Sequence, residues 1–362
     1  MALPQYQIRI LDSSYTLQKW VNRWRSLKYR QELNKVCSAT LTLHPDSEAI
    51  DSIDIDKWFQ VVRNGVHVFG GPIQRYEWSI PQSTPEGESW TVYALDHMVY
   101  ANWRIVLPGD GNDYAEYTDH AGDAMKDFVY NNMGLGAAAA RRFAGLTIED
   151  DGNEGTSTTY SGRYETVLAV CQRIANGNDL DFRFVPAATG CTFTVASSWG
   201  LDRTQGNGVN DECVFALDRR NFHAMKYIRD ALTHRNYIYV GGQDAGQNRT
   251  IVERTDAEDA SAFGRREAFV DGRNTSVEDE LETIGDAALN ALEVLSSPIV
   301  QPVASTWKAA SGTTWDLGDT VTCNVLNRYG RSWTVNAKVI AIDVAVNEAG
   351  VETVTPTLER VE

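Results

Sequence analysis

The chain has 362 residues, 43% of them hydrophobic and 23% charged, and carries a formal net charge of −16 at pH 7. A chain of that length calls for two or three domains and needs no disulfide staples. No apolar run is long enough to span a membrane as a helix, and the acidic excess argues against general nucleic-acid binding, which needs a basic footprint.

Residues 1–105 read as all β. Strands are predicted near 5–11, 24–30, 38–43, 57–63, 66–78 and 89–95. Asn64-Gly65 is the strongest turn signal, because both residues tolerate the positive φ of a type I′ hairpin. Gly70-Gly71-Pro72, inside the long strand, predicts a bulge or a sharp bend. Six short strands at this spacing fit a small barrel or sandwich. The stretch from Lys19 to Arg30 interleaves basic and aromatic residues. Such a pattern can stack bases and hold phosphate. It is equally a strand whose aromatics enter the core while long cations cover the outside or meet acids. The overall charge favours the second use.

Residues 106–216 change character. The stretch from Pro108 to Asp113 is a loop, and a helix is predicted from Thr118 or Asp119, either of which can cap it. Ala121, Met125 and Phe128 share one face, and Gly134 stops the helix. A loop follows over 149–158. A second helix places Tyr164, Val167, Leu168, Cys171 and Ile174 at helical spacing and ends at Asn176-Gly177. Strands near 181–185 and 191–196 complete a small α+β module.

Residues 217–362 return to β. Tyr237–Gly242 reads as a strand running into a glycine turn, with Arg249–Glu253 able to pair with it. A strong helix interrupts near 276–295, with Ser276 and Asp279 forming a capping box and Leu281, Ile284, Ala288, Leu292 and Leu295 forming an apolar stripe. Pro298 lies beyond its end. Strands follow over 319–325, 333–346 and 351–358, with turns at Asn327–Gly330 and Asn347–Gly350. The expected fold is β-rich α+β: two small antiparallel β-barrels flanking an α+β module, with one long helix inserted in the C-terminal half.

Catalytic chemistry finds little support. The histidines His44, His67, His97, His120, His223 and His234 are scattered and match no metal-ligand spacing. Cys37, Cys171, Cys191, Cys213 and Cys323 form no Cys-x-x-Cys pair and read as reduced, buried thiols. No basic segment leads into an apolar run at the N-terminus, so no secretory signal is expected. Ala196-Ser197-Ser198-Trp199-Gly200 lacks the first glycine of a nucleophile elbow. Gly134-Leu-Gly136-Ala-Ala-Ala139 follows a helix rather than a strand, which removes the phosphate-binding turn. Asp110–Asp113 and Asp150–Asn153 are too short for a calcium loop and read as solvated turns. Asp179 with Asp181, placed on one face of a strand, and Asp150-Asp151 in a loop raise a glycosidase alternative. In a chain with 49 acidic residues such pairs arise by chance. No catalytic residue, cofactor or metal is expected.

The order of phrases resembles the tail-hub, or baseplate hub, proteins of long-tailed bacteriophages, including the siphovirus Gp37-like family. The resemblance rests on Leu27–Asn34 followed by Ser38–Leu43, on Trp58–Ile73, and on the strand ending Ala94-Leu-Asp96. Asn236–Gly242, Phe263–Glu267 and Leu317–Val321 agree with it. It implies a homotrimer in which two similar barrels per chain make a pseudo-sixfold ring. One side would meet the sixfold tail tube or distal tail protein, and the other a threefold spike or central fibre, with the tape measure protein a further neighbour. DNA would pass through the middle without specific binding. Residues 101–216 hold eight basic and sixteen acidic residues, and residues 274–362 five and thirteen. Acidic side chains from 274–362 are therefore expected to line the channel and repel DNA. The implied location is the virion tail, assembled in the host cytoplasm. The alternative is a carbohydrate-binding or carbohydrate-cleaving β protein using its acidic loops.

Overall fold

The computed structural model describes residues 4–55, 57–81, 87–109, 111–243, 246–293, 295–303, 306–307, 314–326, 329–330 and 332–361. Seven strands open the chain: β1 (Tyr6–Leu11), β2 (Leu17–Trp20), β3 (Trp24–Glu32), β4 (Ser38–Leu43), β5 (Trp58–Arg63), β6 (Val66–Ser79) and β7 (Ser89–Leu95). Strict alternation builds them. In β4, Ala39, Leu41 and Leu43 point inward while Ser38, Thr40 and Thr42 face out, the period-2 pattern of a half-buried strand. Asn64 and Gly65 take φ of 49° and 83° between β5 and β6, the hairpin expected from the Asn-Gly pair. At Gly70-Gly71-Pro72, β6 changes partner: its first half pairs with β5 and, from Ile73, its second half pairs with β7. A Cβ on Gly71 would overlap the Leu95 carbonyl oxygen, so glycine is needed for that approach.

The middle of the chain contributes α1 (Val99–Asn102), β8 (Ala115–His120), α2 (Ala121–Met133), β9 (Leu146–Ile148), β10 (Ser157–Gly162), α3 (Val167–Asn178), β11 (Asp181–Pro186) and β12 (Cys191–Ala196). Two sequence expectations need correction here. Thr118 and Asp119 lie in β8, which pairs with β10, and α2 starts only at Ala121. Tyr164 lies outside α3 in a left-handed conformation, and the N-cap of α3 is Thr166, whose hydroxyl accepts from the Ala169 N–H. The inward faces of α2 (Met125, Phe128, Val129) and α3 (Val170, Cys171, Ile174) join Phe182, Phe184 and Phe193 of the β9–β11–β12 sheet in one apolar cluster.

The remainder comprises β13 (Asp202–Arg203), β14 (Val214–Ala216), β15 (Phe222–Asp230), β16 (Tyr237–Gly241), β17 (Ile251–Thr255), α4 (Ala257–Phe263), β18 (Glu267–Asp271), α5 (Glu278–Ala291), β19 (Leu295–Pro302), β20 (Thr320–Leu326), β21 (Ser332–Asn347) and β22 (Glu352–Arg360). The inserted helix is shorter than expected. Its N-cap position is Val277, with no side-chain cap. Leu295 and Pro298 belong to β19, which pairs with β15. Gly350 closes the β21–β22 turn at φ 77°, while Asn347 accepts from the Ala349 and Val351 N–H groups. Of the other expected turn, Asn327 and Arg328 lie outside the described residues, as does Asp110.

The strand ladder unites the two β regions. A twelve-stranded sheet runs β13-β20-β21-β3-β4-β7-β6-β5-β1-β2, with β14 on β20 and β22 on β21. The join is β3 against β21, from Glu32 opposite Ala341 to Ser26 opposite Asn347. Core residues from both ends of the chain, Leu27 and Leu41 with Val339 and Ile342, fall in one cluster. The β-rich α+β class is as expected. Among the described residues the ladder follows an open order and no sheet closes on itself.

Candidate functional site

The seam between the two β regions carries a dense polar cluster. Arg63 of β5 donates from Nε to Glu352 Oε1 at 2.6 Å and from Nη2 to Oε2 at 3.0 Å. Both side chains are nearly covered, 12% and 7% exposed. The Tyr6 hydroxyl donates to the same carboxylate, and the guanidinium lies 4.4 Å over the Trp307 ring. A bidentate pair of this kind fixes geometry as well as charge. Nearby, Arg30 of β3 pairs with Asp343 of β21. The middle module is tied to the same frame through Asn34, which sits in the left-handed region at φ 60°. Its side chain accepts from the Phe182 N–H at 2.6 Å and donates to the Leu180 carbonyl at 3.0 Å.

The acids that suggested carbohydrate chemistry do not form the expected strand pair. Asp179 is not on a strand; it caps the end of α3 at φ 52° and is exposed. Asp181 is buried, accepts from the Trp199 N–H at 2.9 Å and pairs with Lys338 Nζ at 2.7 Å. The Asp150 carbonyl accepts from Lys126 Nζ at 2.8 Å, and Asp123 accepts that ammonium at 3.1 Å together with the Gly152 and Asn153 N–H groups. Lys126 is itself buried, so the chain's own cation sits inside this acidic loop.

Several of the other candidates are taken up in packing or pairing. His97 is buried between Trp58 and Phe143, and burial pushes its imidazole down to about 3. His234 pairs with Asp259, and His44 lies 3.3 Å from Glu348. Among the described residues no three His, Cys, Asp or Glu side chains are placed to hold a metal. All five cysteines are free and buried. Gly134 ends α2, and a Cβ on Gly200 would strike the Gly318–Asp319 backbone, so neither glycine opens a ligand loop. In the 19–30 stretch, Lys19 meets Glu48 and Arg23 meets Asp46, while Tyr29 is buried and Trp24 packs on the core. That is the strand reading, with the acids supplied by this chain.

Two features were missed from sequence. On the arm formed by β6 and β7, Trp78 stacks on Trp90 at 5.6 Å and Tyr76 on Trp90 at 5.8 Å, all on one face. Trp78 and Ile80 are more than half exposed. The period-2 series Tyr76, Trp78, Ile80 was the available signal. The second concerns the acids of 274–362: Glu280 and Asp319 are buried and paired with Arg173 and Arg203. Glu352 is covered and paired in the same way.

Comparison with known proteins places this geometry. The family model described as siphovirus ReqiPepy6 Gp37-like protein matches residues 7–358. Among solved structures, the 43 kDa tail protein of prophage MuSo2 from Shewanella oneidensis superposes with a TM-score of 0.61 at 11% identity, covering 98% of each chain. The tail protein from Neisseria meningitidis MC58 gives 0.59 at 12% identity, covering 99% of this chain and 96% of that one. Prophage tail protein gp18 from Listeria monocytogenes EGD-e gives 0.57 at 12% identity, covering 98% and 94%. At these identities the likeness is one of fold. No curated protein sequence matches the chain.

Proposed function

This chain belongs to the siphovirus ReqiPepy6 Gp37-like family, and from that premise we propose that it is a structural hub of a bacteriophage tail tip, without enzymatic activity. Three copies form a ring whose two β units per subunit imitate sixfold symmetry. One side of the ring docks the tail tube or distal tail protein, and the other a central fibre or spike, with the tape measure protein threading toward it. DNA leaves through an acidic channel that does not grip phosphate. Residues 1–105 and 217–362 supply the two β units, residues 106–216 the spacer, and the protein resides in the virion tail.

The observation that carries this reading is the β3–β21 ladder, which joins the two β regions of one chain into one sheet and one core. A symmetry adapter needs its two units held rigidly to each other, because a flexible pair could not meet a sixfold partner in register. The fold likeness to phage tail proteins runs over 98–99% of the chain, which supports the same role. The acidic pair Asp179 and Asp181 does not favour the carbohydrate alternative, since Asp181 is held by Lys338.

The test is the mass of the purified chain, alone and with its tail neighbours, together with assays on cell-wall glycans. The expected result is three copies per particle in the complex and no turnover. A monomer throughout, or glycan cleavage lost in Asp181→Asn with the fold intact, would overturn the reading.

A further inference from the structure

We propose that residues 231–293 form a hinged module, latched onto the middle of the molecule by the single carboxylate of Glu280 and able to undock as a body. The chain leaves the β15–β19 ribbon at Asp230 and returns at Leu295, which face each other across the ribbon's end. The Arg235 N–H, donating to the Leu292 carbonyl at 2.8 Å, closes the stem. Within the excursion, β17-β16-β18 form their own sheet, with α5 covering one face. Ile238, Val240, Val252 and Leu281 make a core separate from the two larger clusters. The module therefore carries what it needs to stay folded when displaced.

Its docking contact is polar. Glu280 on α5 is 1% exposed. Its Oε2 accepts from the Ser161 N–H at 3.2 Å and the Ser161 hydroxyl at 2.6 Å, and its Oε1 accepts from Arg173. Arg173, on α3, is braced by the Ser161 carbonyl at 2.7 Å and Glu165 at 3.0 Å. Thr275 sits 3.1 Å from the Ser161 hydroxyl. Beside the latch, Thr283 packs against Gly177. The apolar side of α5 is turned to its own sheet, so little hydrophobic burial holds the module down. Polar contacts between domains are those of partners that move relative to each other. A buried ion pair adds little net stability while complete, yet losing one partner strands the other charge at a large cost. Losing Glu280 leaves Arg173 with Glu165 and the Ser161 carbonyl and takes the acceptor from the Ser161 N–H, so this side chain biases the molecule toward the docked state.

The experiment uses the full chain and backbone amide exchange. In Glu280→Ala, the Ser161 amide of β10, which donates to Glu280 while the rest of the strand is held by β8, is expected to exchange about 100-fold faster, with those of β3, β4 and β21 unchanged. A Cβ built at position 177 lies 3.4 Å from Thr283 Cβ, close to the disulfide range of about 3.5–4.5 Å. Combining Gly177→Cys and Thr283→Cys in that background should restore slow exchange when oxidised and lose it on reduction. The same cysteine pair in the otherwise native chain should slow exchange of the Ser161 amide on oxidation, which keeps the proposal testable if Glu280→Ala fails to fold. Unchanged exchange of that amide in either background overturns the proposal. So does loosening of β3, β4 and β21 together with it, which would make the chain one cooperative body.

Discussion

Two adjacent residues, Asp96 and His97, have opposite effects on stability. Burial pushes the His97 imidazole down to about 3 and the Asp96 carboxyl up to about 7. The unfolded chain protonates a histidine near ~6.5 and a carboxylate near ~4. Between about pH 6.5 and 3 the unfolded state holds a proton on residue 97 that the folded state refuses, so this contribution is lost as pH falls. Between about pH 4 and 7 the folded state keeps a proton on Asp96 that the unfolded chain has released. That contribution is complete below about pH 4 and is lost as pH rises. Each slope can reach about 1.4 kcal/mol per pH unit, and over the shared window they offset. Removing one exposes the other. His97→Gln should grow more stable relative to the native chain as pH drops from 6.5 to 4.5, and Asp96→Asn should gain as pH rises from 5 to 7.5. Urea midpoints across that range decide it. A constant offset between His97→Gln and the native chain would mean that the imidazole titrates alike in both states.

At the scale of elements, two glycines, one in the β5–β6 turn and one inside β6, separate turn chemistry from packing. Gly65 sits at φ 83° with no atom within 4 Å of where a Cβ would stand. Gly65→Ala should therefore cost only the left-handed penalty, about 1 kcal/mol. A Cβ on Gly71 would run into the Leu95 carbonyl, and backbone cannot yield as a side chain can. Gly71→Ala should cost several times more and disturb the exchange of β6 and β7 together. Equal thermal losses for the two variants would refute this account of the bend. These glycines also mark how far the sequence could be read. β4, β7 and β12 were legible to the residue because alternation and turn residues act locally. β8 was hidden by Thr118 and Asp119, which suit a cap as well as a strand. β15 and β19 were hidden because both are partly exposed and pair across more than sixty residues of intervening chain. Asp181 looked like half of a carboxylate pair because Lys338, its partner, is 157 positions away. No local pattern announces a contact of that range.

At the scale of the whole molecule, the net charge of −16 is partly spent inside. Glu280, Asp319 and Glu352 are bound to arginines at the seams, leaving Glu278, Asp279 and Glu359 among the exposed acids of 274–362. If the channel of the proposed ring is kept slippery by repulsion, these are among the carboxylates able to act there. Reversing them together (Glu278→Lys, Asp279→Lys, Glu359→Lys) would replace repulsion with phosphate contacts. Such contacts weaken steeply as salt rises, because each displaces condensed counterions. Phage carrying the triple change should assemble normally yet eject DNA about tenfold more slowly at low ionic strength, recovering as salt is raised. Recovery with salt is the informative part, since a ring that had simply failed to form would not be repaired by it. Ejection at the native rate in all salts would place these carboxylates away from the path of the DNA.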